Sequence, residues 1–179
     1  GVVKTDGYGH GAVPVARTID PYVDGYAVAS VDEGIILRRH GIRKMVLVLG
    51  VTHESRFEDL VRYDIRPAMF RYGEAQKLSA VAAAMGKRAN IHLAVDTGMN
   101  RIGMKTSDEM NTAIALITQY NGIVEGIYTH YACADEDLHY CEMQYHTFKA
   151  LVDKLSIKPK WIHCENSAAI LQFPDELTN

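Results

Sequence analysis

Cys133, Cys141 and Cys164 are the only cysteines in 179 residues, and no two of them stand in a CxxC spacing. An odd number without a framework argues against a disulfide-built scaffold and points to reduced thiols in a cytoplasmic setting. His139, Cys141 and His146 lie close together, but their spacing matches no zinc pattern, so a helix surface with no metal is expected there. No apolar run approaches the ~20 residues that cross a bilayer, and neither a signal peptide nor a lipidation motif is visible, so no membrane partner is expected. A basic stripe is also missing. Lys and Arg number 19 against 22 Asp and Glu, a net charge of -3, which argues against a general nucleic-acid partner. No Gly-x-Gly-x-x-Gly follows the first strand, which weakens a dinucleotide-binding fold. An initiating Met is absent, and the chain opens inside what reads as a strand. It closes at Leu177-Thr178-Asn179 without a closing element, so a fragment or trimmed chain is expected.

What the sequence does have is regular alternation. Val2 and Val3 read as the end of a buried strand that stops at Lys4. Further strands are expected at residues 25–29, 45–49, 67–70, 91–96, 124–129 and 161–164, the run Met-Val-Leu-Val-Leu at 45–49 being the most fully apolar. Between them fall helical patterns at 12–20, at 30–41 with Ser30 and Glu33 as a capping box, and at 57–63. Others follow at 74–85, at 107–120 with Ser107 as cap and Gly122 as stop, at about 136–155, and from Ser167 to Leu171. Strand–helix alternation forces parallel strands joined by right-handed crossovers. The choice lies between an open doubly wound sheet and an α/β barrel. About seven units in 179 residues favour a TIM-type (β/α)8 barrel, usually roughly 250 residues, lacking its last strand. No internal boundary or linker divides residues 1–179.

In such a barrel, chemistry gathers where strands end. Strand one delivers Lys4 and Tyr8, strand five delivers Asp96 to Arg101, strand six His130, and strand seven Glu165, Asn166 and Ser167. A lysine at a strand end loses hydration, and a neutral amine can attack an aldehyde to form a Schiff base. Taken singly, each residue has a plainer reading. Lys4 could snorkel, Ser167 could cap a helix, Arg101 could be a solvated loop residue and His130 a satisfied core histidine. Asp96, before Thr97 and Gly98, could make an Asx turn. Taken together they suit pyridoxal phosphate: an amine for its aldehyde, a cation for its phenolic oxygen, and Asn166-Ser167 before a helix for its phosphate.

Val2-Val3-Lys4-Thr5-Asp6-Gly7-Tyr8-Gly9-His10-Gly11 resembles the lysine motif of alanine racemases. Asp96-Thr97-Gly98-Met99-Asn100-Arg101-Ile102-Gly103, Tyr128-Thr129-His130-Tyr131-Ala132 and His163-Cys164-Glu165-Asn166-Ser167-Ala168-Ala169 resemble three further signatures of that family, and Phe173-Pro174-Asp175 fits too. The resemblance runs in order along essentially the whole chain. It implies a pyridoxal-5'-phosphate-dependent isomerase that interconverts L- and D-alanine by two-base proton transfer and supplies D-alanine for cell-wall peptidoglycan. Lys4 would hold the cofactor and act as the base facing the D-enantiomer. Tyr8, Ser167 and the backbone around Asn166 would bind the phosphate. Arg101 would hold the phenolic oxygen and approach the substrate carboxylate, and His130 would sit beside the ring. The resemblance also implies a homodimer whose partner supplies a tyrosine, from a C-terminal β domain, as the second base.

Three parts of that pattern are not in this sequence: the eighth strand with its arginine, the C-terminal β domain, and the start of the first strand. The 179 residues alone are therefore expected to be inactive. A fourth difference is a substitution. Many members carry a lysine, often carbamylated, where this chain has Ala94, so a bound anion or Asn100 is left to orient Arg101. Alternatives are a serine racemase of the glycopeptide-resistance type, a non-catalytic pyridoxal-phosphate-binding barrel protein, and, disfavoured by the motifs, a decarboxylase on the same barrel.

Overall fold

A computed structural model describes residues 1–164 and 166–172. Six strands form one sheet: β1 (Gly25–Val28), β2 (Met45–Val48), β3 (Arg66–Met69), β4 (Asn90–Ala94), β5 (Ile123–Tyr128) and β6 (Trp161–His163). They lie side by side in chain order and every pair is parallel. A doubly wound sheet would reverse its order at a switch point. The absence of such a reversal among the described strands identifies the singly wound, curling sheet of a TIM-type barrel. The expected first strand is reduced to a single parallel bridge, Val2 to Ala27. Its pairing is nonetheless secure, because Val3 N–H donates to Ala27 O (2.9 Å) and Ala27 N–H to Gly1 O (2.9 Å).

Burial separates the two faces of the sheet. The outer face packs Val28, Val46, Val48, Ile91, Leu93 and Ile127 with helix residues such as Leu37, Leu60, Leu78, Ile117 and Phe148 in one large core. A smaller cluster holds Ala68, Ala94 and Tyr128, with Leu49 and Phe70 against it. Alanine at two of these positions leaves space at the strand ends. Helices Ala12–Ile19, Val31–Arg39, Phe57–Arg62, Tyr72–Ala84, Ser107–Gln119, Leu138–Val152 and Ser167–Gln172 occupy the expected intervals.

Three local readings change. Thr106, not Ser107, caps its helix: its side chain accepts from Glu109 N–H while the Glu109 carboxylate accepts from Thr106 N–H. At that helix's far end Asn121 takes the left-handed position (φ 58°), and Gly122 does not. Cys141 is buried in the core, whereas His139 and His146 are exposed, so the helix does not bring the three together. Cys133 and Cys141 are free thiols, and among the described residues no helix is long and apolar enough to cross a membrane.

One irregularity places charge inside the sheet. The β4–β5 register shifts between Ile91 and His92: Ile91 pairs with Val124 but His92 with Gly126, so Glu125 is the extra residue of a bulge. Its carboxylate accepts from Arg66 Nε of β3 at 2.8 Å and lies 3.8 Å from His92 Nε2. The His92 ring then covers Gly126 so closely that a Cβ there would sit 2.5 Å from it. Gly126→Ala is therefore expected to cost about 1–3 kcal/mol by overpacking, read from urea unfolding. Gly73→Ala, in a helix with nothing within 4 Å, should be neutral or stabilising in the same assay.

Candidate active site

The backbone turns left-handed immediately after Lys4. Thr5, Asp6, Gly7 and Tyr8 have φ of 52°, 52°, 63° and 56°. Three of the four carry a Cβ, and each of those costs roughly 1–2 kcal/mol in this region. Such strain persists only where the surroundings over-determine it. Here Gly7 N–H donates to Val3 O (2.9 Å), Gly11 N–H to Asp6 O (2.8 Å), and Ala12 N–H to Asp6 Oδ1 (2.8 Å). The turn delivers the chain into helix Ala12–Ile19 and leaves Lys4 half-exposed at the rim, not shut behind an apolar wall. Lys4 Nζ stands 5.8 Å from the centroid of the exposed Tyr8 ring.

The loop after β4 is built by Asp96. Its Oδ1 accepts from Gly98 N–H (3.1 Å) and Asn100 N–H (2.9 Å), the Asx turn expected from the sequence. The loop closes through a bridge between Val95 and Met104. Gly103 lies so close that a Cβ would come within 2.2 Å of Asp96 N. This geometry carries Arg101 out to an exposed position at the pocket wall. Among the described residues Arg101 has no hydrogen-bond or ion-pair partner. Asn100 is not its holder, because Asn100 Nδ2 donates to Gly98 O (3.1 Å) and its Oδ1 accepts from Lys105 Nζ (3.3 Å).

His130, after β5, is half-buried, and burial lowers its pKa, helped by the charges of Arg101 and then Lys4. Neutral imidazole is thus favoured near pH 7. Its backbone is fixed by Gln144, which the sequence reading did not single out. The fully buried Gln144 amide accepts from Ala132 N–H (3.0 Å) and donates to His130 O (3.2 Å) and Thr97 Oγ1 (3.1 Å). Thr97 and Thr129 hydroxyls lie 2.8 Å apart, and Thr129 donates to Val95 O (2.9 Å). One amide thereby joins the Arg101 loop to the His130 loop. The available signal was a Gln on the stripe Cys141, Gln144, Phe148 that buries helix Leu138–Val152.

Asn166 is the N-cap of the final helix. Its Oδ1 accepts from Ala169 N–H (3.0 Å), and its Nδ2 reaches Tyr131 O at 3.5 Å. The helix begins at an exposed Ser167. Glu165 and Phe173-Pro174-Asp175 lie outside the described residues.

Lys4, Arg101 and His130 meet in one cavity of about 110 Å³, lined also by Leu49, Ala94, Val95, Met99, Ile102 and Tyr128. Tyr8, Asn166 and Ser167 stand at the same ends of their strands without lining it. Among the described residues no carboxylate lines the cavity, to which Lys4 and Arg101 both contribute. Burial pushes the Tyr128 phenol up to about 12, against the pull of Arg101. Behind Tyr128 its ring stacks on His163, centroids 5.1 Å apart, and His163 Nε2 lies 3.3 Å from His92 Nδ1.

Two predictions follow from these buried polar groups. Gln144→Leu leaves Ala132 N–H and His130 O unpaired and should cost about 2–3 kcal/mol in urea unfolding. The second concerns acid. Burial, then the His92 charge, lowers the His163 pKa to about 3. His92 and Arg66 hold the Glu125 carboxyl down at about 2, Arg66 from the shorter distance. Both folded values are depressed, so the unfolded chain binds more protons and stability falls as the pH is lowered. The loss begins near the unfolded histidine value of about 6.5 and steepens below the unfolded glutamate value of about 4.5. His163→Gln should flatten the profile between about pH 6.5 and 4.5 and reduce its slope from there to about pH 3, leaving the loss due to Glu125.

The family model for the alanine racemase N-terminal domain matches residues 1–179. The alanine racemase of Desulforamulus reducens is 42% identical over 180 residues, covering 97% of this chain and 49% of that protein. Solved alanine racemases from Clostridium difficile 630 and E. faecalis superpose with TM-scores of 0.94 and 0.93, at 38% and 35% identity. Each comparison covers 99% of this chain, but 51% and 49% of the solved chain. The chain spans about half the length of the relatives it matches. With its sequential parallel sheet and its lysine, arginine and histidine at the strand ends, it belongs to the alanine racemase family.

Proposed function

We propose that the complete protein is a cytoplasmic, homodimeric pyridoxal-phosphate-dependent racemase that interconverts L- and D-alanine, supplying D-alanine for peptidoglycan. The observation that carries this reading is the convergence of Lys4, Arg101 and His130 on one cavity at the strand ends. A lysine amine beside an arginine, in a pocket of two cations, suits an anionic aldehyde. Pyridoxal phosphate, when bound, supplies an electron sink for the carbanion left when the α-proton departs.

The chain's own groups do the remainder. Lys4 Nζ binds the cofactor and takes or returns the α-proton on one face. Arg101 orients the substrate carboxylate and the phenolic oxygen through its fork of donors. Neutral His130 would flank the cofactor's ring without adding charge. Tyr8, Ser167 and the backbone at Asn166 would hold its phosphate. Racemisation needs a second base on the opposite face, and a tyrosine of the partner subunit fills that role in this reading. The 179 residues contain one base of the two and by themselves should not racemise alanine.

A different substrate is the second reading. The same fold serves a histidine racemase from Leuconostoc mesenteroides, 27% identical with a TM-score of 0.87, and serine remains an alternative. The complete protein is incubated with pyridoxal phosphate and L-alanine, L-serine or L-histidine, and each D-isomer is followed. D-alanine forming fastest is the expected result; D-serine or D-histidine instead would reassign the substrate. Formation of none would favour a non-catalytic pyridoxal-phosphate carrier. Lys4→Ala should abolish the visible absorbance of bound cofactor and lower turnover by at least about 10³-fold.

A further inference from the structure

Glu33 stands on the first turn of helix Val31–Arg39, and by spacing it belongs to a capping box with Ser30. In the box its carboxylate would return to Ser30 N–H. Instead its two oxygens serve two other segments. Oε2 accepts from Ala29 N–H at 2.8 Å, at the exit of β1. Oε1 accepts from Thr5 N–H at 3.0 Å, 28 residues away in sequence. Ser30 Oγ still caps Glu33 N–H, at 3.3 Å.

Thr5 directly follows Lys4 and opens the left-handed turn. The Thr5 N–H belongs to the peptide that begins at the Lys4 carbonyl, so anchoring it fixes ψ of Lys4. On the other side, Val3 N–H donates to Ala27 O at 2.9 Å. The backbone on either side of Lys4 is therefore referenced to β1, once through the sheet and once through Glu33. A carboxylate is suited to this task because it accepts from two N–H groups at once and makes stronger bonds than a neutral acceptor.

We infer that Glu33 is a positioning residue for Lys4: its carboxylate clamps the left-handed turn to the β1 exit and so sets where the lysine amine stands in the cavity. This rests on the reading of Lys4 as the residue that binds the cofactor and moves the proton. Glu33 touches neither the cofactor nor the substrate. It acts through the backbone.

The test uses the complete protein with Glu33→Gln, Glu33→Asp and Ser30→Ala. Gln offers one acceptor oxygen and turns N–H groups toward the other backbone donor, and Asp is one methylene too short to span both. Ser30→Ala weakens the same helix start without touching Thr5. Expected for Glu33→Gln are faster amide hydrogen exchange at Thr5 in the cofactor-free protein, and kcat lower by about 10- to 100-fold with KM within about twofold. The visible absorbance of bound cofactor should persist. Ser30→Ala should lower the melting temperature yet leave Thr5 exchange and kcat unchanged. Glu33→Asp should fall between wild type and Gln, and it serves for the same readouts if Gln does not fold. The inference is overturned if Thr5 exchange is unaltered in the Glu33 variants, or if their kcat falls no further than that of Ser30→Ala. Failure of the underlying reading looks different: Lys4→Ala would then retain the cofactor absorbance.

Discussion

Each strand of the sheet pairs with the next one in the chain, and every pair is parallel, so all six strands end on the same side of the molecule. Residues far apart in sequence must then meet: Lys4 before β1, Arg101 after β4, His130 after β5 and Asn166 after β6. The sheet guarantees proximity only to within a loop's length. The role proposed for Lys4, in which its amine faces one particular carbon, needs far finer placement, and the strand ends alone do not provide it.

The finer placement comes from polar side chains that bind backbone groups of neighbouring loops. Glu33 takes Thr5 and Ala29, Asp6 takes Ala12, Asp96 takes Gly98 and Asn100, Gln144 takes Ala132 and His130, and Asn166 takes Ala169. Every one of these is a carboxylate or amide reaching main chain near a strand end. Their oxygens substitute for the ladder partners that the backbone loses when it leaves the sheet, which is where unpaired N–H groups are most costly. The strained φ angles of Thr5, Asp6 and Tyr8 are tolerable for the same reason. The N–H groups of Thr5, Gly7, Gly11 and Ala12 all find backbone or carboxylate acceptors in that conformation.

Strand and helix periodicity placed nearly every element in the sequence, since β1 to β6 fall within a residue or two of the apolar runs that announced them. Parallel order followed from the alternation. The four strand-end groups were legible because a charged or polar residue interrupts an apolar strand at its exit. What the sequence did not show was tertiary in origin. Glu33 looked like a capping-box residue because a carboxylate three positions after Ser30 has the same spacing whether it turns back to Ser30 or outward to Thr5. The bulge at Glu125 leaves no mark on a six-residue strand whose apolar and small residues still read as one run. Gln144 carried a faint signal, an amide on an otherwise apolar helix stripe, but its partners lie 12 to 47 residues away. The left-handed course through Thr5 and Asp6 contradicts the local preference of both residues, so propensity alone pointed elsewhere.

The electrostatic design of the cavity follows from the same division. Lys4 and Arg101 line it with no carboxylate among the described lining residues, and burial, with the charges of Arg101 and Lys4, disfavours the protonated form of His130. The acidic groups nearby are already committed: Glu33 and Asp96 to backbone N–H, Glu125 to Arg66. Ala94 adds no charge at the end of β4. An anion of the kind proposed, binding only the folded state, would stabilise that state by mass action. The clamps on the loops, Glu33 at Thr5 and Asp96 at Gly98 and Asn100, fix the segments that carry the two cations.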